Sequence, residues 1–447
     1  MNDIRINIPA DANELIHILQ KNGHTAYVVG GCVRDSILGR VPHDWDICTS
    51  ATPDQMLKIF KDRRVIETGL QHGTVTVMVK GEPYEITTYR IDGEYSDNRR
   101  PDNVSFTDSL LEDLKRRDFT INAMAYNDEE GLIDPFDGMI DIECHKIMCV
   151  GSAKERFEED ALRILRAIRF AVQLDFHVCE DTETEIHKQK ERLLNVSKER
   201  IHDELCKMIV CETFYAKLSV FKDVFATIIP EIKDTIGFKQ KNPYHIFDVF
   251  MHTVTTLLFV ESQNLIVKLA LLFHDIGKPH CCQEGSDGYR HFKGHGKVSA
   301  EMTDEIMRNL KFCNDTREKV VQLVYYHDST FELSRKCVKR WLNKIGEEQL
   351  RKLILVRRAD IRGQGHYMQK ERLEKIDNFE KILNEVANES PCFSMKDLAV
   401  NGKDLIEIGF KPGKELGAVL NKLLQAVIDE ELENNKTILL EEAGKLL

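Results

Sequence analysis

Two carboxylates one residue apart, Asp44 and Asp46 flanking Trp45, are the side chains in this 447-residue chain best suited to chemistry. On an extended strand residues i and i+2 point to one face, so the pair can share hard cations such as Mg²⁺. Two such ions activate an attacking hydroxyl and neutralise a leaving pyrophosphate. Taken alone, such a pair is more often a solvated turn. Its surroundings change that reading. Tyr27, Val28 and Val29 form a β-prone run that ends at Gly30 and Gly31. Missing Cβ atoms there let backbone N–H groups approach a phosphate, and Arg34 follows to hold another of its oxygens. Glu85, in the strand-like run Tyr84–Tyr89, adds a third carboxylate if its strand pairs beside Asp44 and Asp46. An outward, solvated glutamate fits equally well.

Three further clusters follow downstream. Arg116, Arg117 and Asp118 stand in LKRRDFTINAMAY, with Asn122 one helical turn beyond Asp118. A carboxylate oriented by arginine can accept from ribose hydroxyls, although a helix-start charge cluster has the same composition. The run Arg156–Leu174 reads RFEEDALRILRAIRFAVQL. As one helix it sets Arg163, Arg166 and Arg169 in a basic stripe and turns Asp160 towards Arg163, the spacing also of a plain surface ion pair. In the third cluster His252, the pair His274 and Asp275, then His295, His327 and Asp360 recur in apolar helical surroundings with Lys278 nearby. One histidine in such a helix is usually a core residue. This set, mixing imidazole and carboxylate, suits a divalent transition metal or Mg²⁺.

The segments Gly30 to Asp46 and LKRRD, the turn Asp134-Pro135-Phe136-Asp137-Gly138, Glu159-Asp160-x-x-Arg163 and ERIHDEL at Glu199–Leu205 come in the order of five motifs. Together they resemble the class II tRNA nucleotidyltransferases and bacterial poly(A) polymerases. Trp45 in place of a small or branched residue and Cys32 after the glycines are departures from that pattern. The resemblance implies CMP and AMP addition to a tRNA 3′ end from CTP and ATP with Mg²⁺. It implies catalysis at Asp44, Asp46 and Glu85, and nucleotide binding by Gly30, Gly31, Arg34, Arg117, Asp118, Asn122, Asp160, Arg163, Arg166 and Arg169. Asp160 and Arg163 would read the base. Cytosine and adenine offer an amine donor beside a ring-nitrogen acceptor, whereas uracil and guanine invert that pattern. The polar stretch Asp92–Val104, with Arg99 and Arg100, is expected to be a loop that closes on substrate. The order H…HD…H…H…D resembles the HD phosphohydrolase superfamily, which implies a metal at His252, His274, Asp275 and Asp360, extended by His295 and His327. An A-adding enzyme or poly(A) polymerase shares every motif of the head. A protein uridylyltransferase-like signalling enzyme also joins a nucleotidyltransferase head to an HD module.

The elements needed to position these groups give an α+β fold class. A nucleotidyltransferase head with a small mixed sheet (1–140) precedes an all-α neck (141–213), an HD-containing body (214–368) and a helical tail (369–447), which the resemblance implies is tRNA-binding. The formal charge of −12 excludes diffuse attraction to nucleic acid, so RNA must be met by local basic faces. Twelve cysteines without regular spacing fit reduced thiols. The N-terminal stretch, with Asp3, Asp11 and Glu14, has no signal-peptide pattern, and no apolar run reaches membrane-spanning length. A cytoplasmic enzyme without membrane association is expected, and no protein partner is predicted.

Overall fold

The computed structural model describes residues 4–93, 104–389 and 393–447. The chain forms two compact units, Met1–Pro230 and Glu231–Leu447.

The first unit is built on a seven-stranded mixed sheet. Its strands are β1 (Ala26–Val29), β2 (Ile47–Thr49), β3 (Val65–Ile66), β4 (Thr74–Val79), β5 (Glu82–Thr88), β6 (Ala125–Asn127) and β7 (Gly131–Ile133). Their spatial order is β3-β4-β5-β2-β1-β6-β7, with β2 and β5 parallel and the other neighbours antiparallel. Alternate residues of TVTVMV in β4 are buried, so this strand has one covered face, whereas all four residues of β1 are buried as a central strand requires. Helix α1 (Ala10–Lys21) buries Ala12, Leu15, Ile16 and Leu19, and the chain leaves it through Gly23 at φ +87°. Helix α2 (Gly31–Ile37) springs directly from β1. Helix α3 (Pro53–Ile59) starts at a capping box formed by Thr52 and Gln55, with Pro53 in its first turn.

Helix α4 (Leu110–Lys115) leads into the Arg116–Asp118 cluster. The expected loop at 92–104 is narrower than its polar composition suggests, because Arg90–Asp92 pairs with Val104–Phe106. Arg99 and Arg100 lie outside the described residues. After the sheet come α5 (Ala153–Glu159), α6 (Leu162–Leu174) and α7 (Lys198–Ile209). This part is helical apart from one short parallel pair, Lys146–Ile147 with His177–Val178.

The second unit is helical with one small hairpin, Gln283–Glu284 against Arg290–His291. Helices α8 (Val249–Phe259), α9 (Leu265–Phe273), α10 (His295–Asn309), α11 (Asn314–Tyr326) and α12 (Arg335–Gly363) pack together, and α12 kinks at Gly346, whose φ is +77°. Leu398, Val400, Leu405, Leu423, Leu424, Ile428 and Leu439 form a separate small core near the C-terminus. No helix among the described residues is long and apolar enough to cross a membrane.

Candidate functional site

Asp44, Asp46 and Glu85 lie around the entry to β2 in the first unit. The strand starts only at Ile47, so Asp44 and Asp46 lie on its approach and not within it. The carbonyl of Asp46 nevertheless accepts from the N–H of Val29 at 3.0 Å and continues the ladder. Ile47 pairs with Ile86 in parallel register, so Asp46 lies level with Glu85 and on the same face. Protein atoms crowding Asp46 raise its pKa, as do the charges of Glu85 and Asp44, while Arg117 pulls the other way. Asp44 and Glu85 are thus near enough to Asp46 to disfavour its charge, although the three carboxylates do not converge into a ligand set as tight as those of the second unit.

Gly30 takes φ +82°, and a Cβ there would stand 3.0 Å from Arg117 Nη1. Its N–H is not free, since it donates to the Met124 carbonyl at 3.1 Å. Of the glycine pair, Gly31 therefore supplies the free backbone donor, as first residue of α2, where the opening N–H groups have no helical carbonyl to meet. Arg34 is buried on the same helix and donates to Asn122 Oδ1 at 2.5 Å and Asp35 Oδ1 at 2.9 Å.

Asn122 passes the connection on. Its Nδ2 donates to Asp118 Oδ1 at 3.2 Å, and the Phe119 N–H donates to the same oxygen at 2.9 Å. Arg166 grips Asp118 Oδ2 through Nε at 2.8 Å and Nη2 at 2.5 Å. Burial alone would raise the Asp118 pKa, yet Arg166 and Arg163, with hydrogen bonds from Arg166 and Asn122, bring it down to about 2. The arginine orienting this carboxylate thus comes from α6. Arg116 and Arg117, the neighbours in sequence, turn instead to the wholly buried Asp113, at 2.7 and 3.4 Å. Asp113 also accepts from the Arg90 N–H at 3.3 Å.

The Arg156–Leu174 run is not one helix. It breaks at Asp160, with φ −139° and ψ 104°, because that side chain turns back to accept from the Leu162 N–H at 3.0 Å. The break separates the i, i+3 pair. Arg163 donates to Glu159 at 2.5 Å and to the Arg116 carbonyl at 3.1 Å, while Asp160 Oδ2 accepts from Arg200 of α7 at 2.7 Å. The expected basic stripe is also internal. Arg163 and Arg169 are buried, and the three arginines are paired with Glu159, Asp118 and Glu204. Arg34, Arg166 and Arg169 lie 5.0, 5.4 and 4.1 Å from the centre of one ring, Phe170. Asp113 and Phe170 escaped the sequence reading, because their partners lie far along the chain or in unrelated segments, whereas Arg200 and Glu204 lie within the ERIHDEL motif.

The second unit brings its histidines and aspartates together. His252 lies on α8, His274 and Asp275 follow α9, His295 opens α10, His327 closes α11, and Asp360 lies near the end of α12. All six are buried. Each imidazole Nδ1 meets a backbone carbonyl, of Gly363, Leu271, Phe292 and Val324 respectively, at 3.2, 2.8, 2.8 and 2.6 Å. Carbonyls only accept, so each Nδ1 carries a proton and each ring turns its Nε2 inward. His252 Nε2 then faces His274 Nε2 at 3.1 Å, and His295 Nε2 faces His327 Nε2 at 3.0 Å. Asp275 lies between the pairs. Its Oδ2 is 3.3 Å from both His252 and His274, and its Oδ1 is 3.4 Å from His295 and 3.5 Å from His327. Neither oxygen makes a hydrogen bond with proper geometry. Asp360 Oδ1 lies 3.0 Å from His252 Nε2. Two sets, His252–His274–Asp275 and Asp275–His295–His327, could each hold an ion, since their ring nitrogens and carboxylate oxygens converge. Lys278 Nζ, 2.6 Å from Asp275, and His245 border a cavity of about 460 Å³ opening onto this cluster.

Residues 26–148 match the family described as Poly A polymerase head domain, and 292–443 match a tRNA nucleotidyltransferase domain 2 family. The CCA-adding enzyme of Ligilactobacillus salivarius (strain UCC118) is 34% identical over 455 residues, covering 99% of this chain and 98% of the relative. That of Lactobacillus helveticus (strain DPC 4571) is 36% identical over 425 residues, covering 95% and 94%. The crystal structure of the Bacillus stearothermophilus CCA-adding enzyme in complex with CTP is 29% identical, with a TM-score of 0.73 over 97% of this chain and 96% of that one. The Thermotoga maritima CCA-adding enzyme complexed with tRNA shares the fold at 22% identity and TM-score 0.64, covering 100% and 97%.

Proposed function

Because the chain belongs to the CCA-adding enzymes, nucleotidyltransferases of tRNA processing, we propose that it completes the tRNA 3′ end with CMP and AMP from CTP and ATP. The observation that carries this reading is that Asp46 stands near Glu85, Asp44 and Arg117 in the same unit that carries a bonded relay from Arg34 through Asn122 and Asp118 to Arg166. Asp44, Asp46 and Glu85 are the residues that hold divalent metal. Bound there, Mg²⁺ would activate the attacking 3′ hydroxyl and stabilise the charge of the departing pyrophosphate. The Gly31 N–H, Arg34 and Arg117 face the triphosphate. Asp118, held ionised by Arg166, accepts from the ribose hydroxyls through its remaining lone pairs, with Asn122 beside it. Asp160 takes the amine of cytosine or adenine while Arg163 donates to the ring nitrogen, so uracil and guanine face like against like. Arg169 braces α6 against α7 through Glu204. The head at 1–140, neck at 141–213, body at 214–368 and tail at 369–447 are the functional parts in this proposal, and the enzyme works in the cytoplasm.

Incubation of purified protein with labelled CTP and ATP and tRNA ending at the discriminator, at C or at CC tests the reading. Full CCA is expected on all three. Addition of A alone, only to the CC end, would identify an A-adding enzyme, and an untemplated A tail would identify a poly(A) polymerase.

One observation favours a second activity. The facing Nε2 pairs across Asp275 support divalent transition metal bound by His252, His274, Asp275 and Asp360, with a further position at His295 and His327. The adjoining cavity and Lys278 suit a phosphoester, so the second unit is a phosphohydrolase on this reading, acting on a phosphate ester or 2′,3′-cyclic end. Metal analysis of the purified protein and hydrolysis of such esters test it, and a metal-free, inert protein would make the cluster structural.

A further inference from the structure

We propose that Phe170 is a positioning residue that couples triphosphate recognition to ribose recognition, its ring holding the guanidinium groups of Arg34 and Arg166 in one fixed arrangement. The inference rests on the assignment of Arg34 to the triphosphate and of Asp118 to the ribose. The two cations come from different elements, Arg34 from α2 and Arg166, which grips Asp118, from α6. Hydrogen bonds already run between them through Asn122 and Asp118. Phe170 joins the same two ends by another route. It stands one turn after Arg166 on α6 and is buried, with its ring centre 5.0 Å from Arg34 Cζ and 5.4 Å from Arg166 Cζ. Phe119 meets it at 79° with the ring centres 5.7 Å apart, and the Phe119 N–H is itself a donor to Asp118. The relay is therefore a closed circuit whose last member is an aromatic ring.

An aromatic side chain suits this place because three like charges gather around it, Arg169 being the third at 4.1 Å. Each cation has a different carboxylate, Asp35, Asp118 and Glu204 respectively for Arg34, Arg166 and Arg169. What the three share is the ring. The negative face of an aromatic ring attracts cations, more strongly away from water, and an aliphatic side chain of similar bulk does not. Displacing either Arg34 or Arg166 loses contact with one common surface. A triphosphate that seats Arg34 thus favours the same placement of Arg166 that orients Asp118 for the sugar.

The test replaces Phe170 in the full chain by mono-, di- and trifluorinated phenylalanine, which draw charge from the ring face at nearly constant shape. Two quantities are followed, the Kd for CTP and the kcat/KM preference for CTP over dCTP on a tRNA acceptor. The Kd should rise stepwise by about 10-fold across the series, and the ribose preference should fall in the same order by about three- to tenfold. Phe170→Leu, checked for folding by circular dichroism, should match the trifluorinated ring, and the fluorinated series decides alone if that variant does not fold. A flat response in both quantities would make the ring mere packing, and a change in only one would overturn the coupling. Arg34→Met and Asp118→Asn separate the layers. If they leave CTP affinity and ribose preference unchanged, the underlying assignments fall; if they lower both while the fluorinated series stays flat, only the role of Phe170 falls.

Discussion

The two clusters of metal-type ligands are opposites in construction. Asp44, Asp46 and Glu85 stand on a rim still open to solvent and carry oxygen alone. The six groups of the cluster centred on Asp275 are buried, four of them imidazoles already locked by backbone carbonyls. Oxygen ligands on an open rim suit hard ions that keep part of their water and can arrive with a nucleotide. Buried, preset imidazoles suit an ion that stays. On the reading proposed above, the first arrangement would take ions that come and go with substrate, and the second an ion that stays bound from one turnover to the next.

The largest effect that can break this contrast is Asp46→Asn, which should slow nucleotide addition by at least roughly 10³-fold while nucleotide binding without metal survives. The metal content of the second unit should not change, and rapid turnover by this variant would remove Asp46 from the chemistry. Next, Asp160→Ala or Arg163→Ala should cut the preference for CTP and ATP over UTP and GTP by roughly 10²- to 10³-fold, since each mismatch leaves buried polar groups unsatisfied. Ratios of kcat/KM for the four nucleotides decide it. His274→Ala should then abolish metal retention and ester hydrolysis and lower the melting midpoint of the second unit by roughly 5–10 °C, with CCA addition intact. Chelation of the wild type should give the same shift. Loss of CCA addition alongside would show that the clusters are not independent.

The smallest expected effect concerns acid. The Asp118 pKa is lowered to about 2 in the fold against roughly 3.9 in an unfolded chain, so the unfolded state binds its proton first as pH falls. The stability this group contributes is complete above about pH 4 and is lost as pH falls through about 2, amounting to roughly 2.5 kcal/mol. Asp118→Asn should flatten that part of an acid titration of stability relative to wild type.

The fold and the outline of the site were legible where local chemistry decides. A β-prone run ending in two glycines, a capping box at Thr52 and an apolar face along α1 each act within a few residues. The pairing of charges was not. Asp118 lies beside two arginines in sequence but is held by Arg166, 48 positions on, because Asp113 claims its neighbours from inside the core. The helix break was hidden by good helix formers on both sides, Glu158 and Glu159 before it and Leu162 to Leu165 after it. Its signal was present in Asp160 itself, a residue type that caps helices from just outside their first turn. The strand expected through Asp44 and Asp46 starts only at Ile47, one residue past Asp46, a shift small in sequence that leaves both carboxylates on its approach.

The fixed pair at the helix break also bounds how much it can specify. Naming one base of four takes two binary decisions. Asp160 and Arg163, each immobilised by its own partners, present one acceptor and one donor, and this arrangement answers a single question, amine or carbonyl. Cytosine and adenine give the same answer. The second decision, one ring or two, must be made by whatever limits the space beside the pair, and in a reaction that places two C residues before one A that limit has to change as the RNA lengthens. If Asp160 and Arg163 read the base as proposed, two side chains would store half of the message, and the other half would be supplied by the state of the molecule being extended.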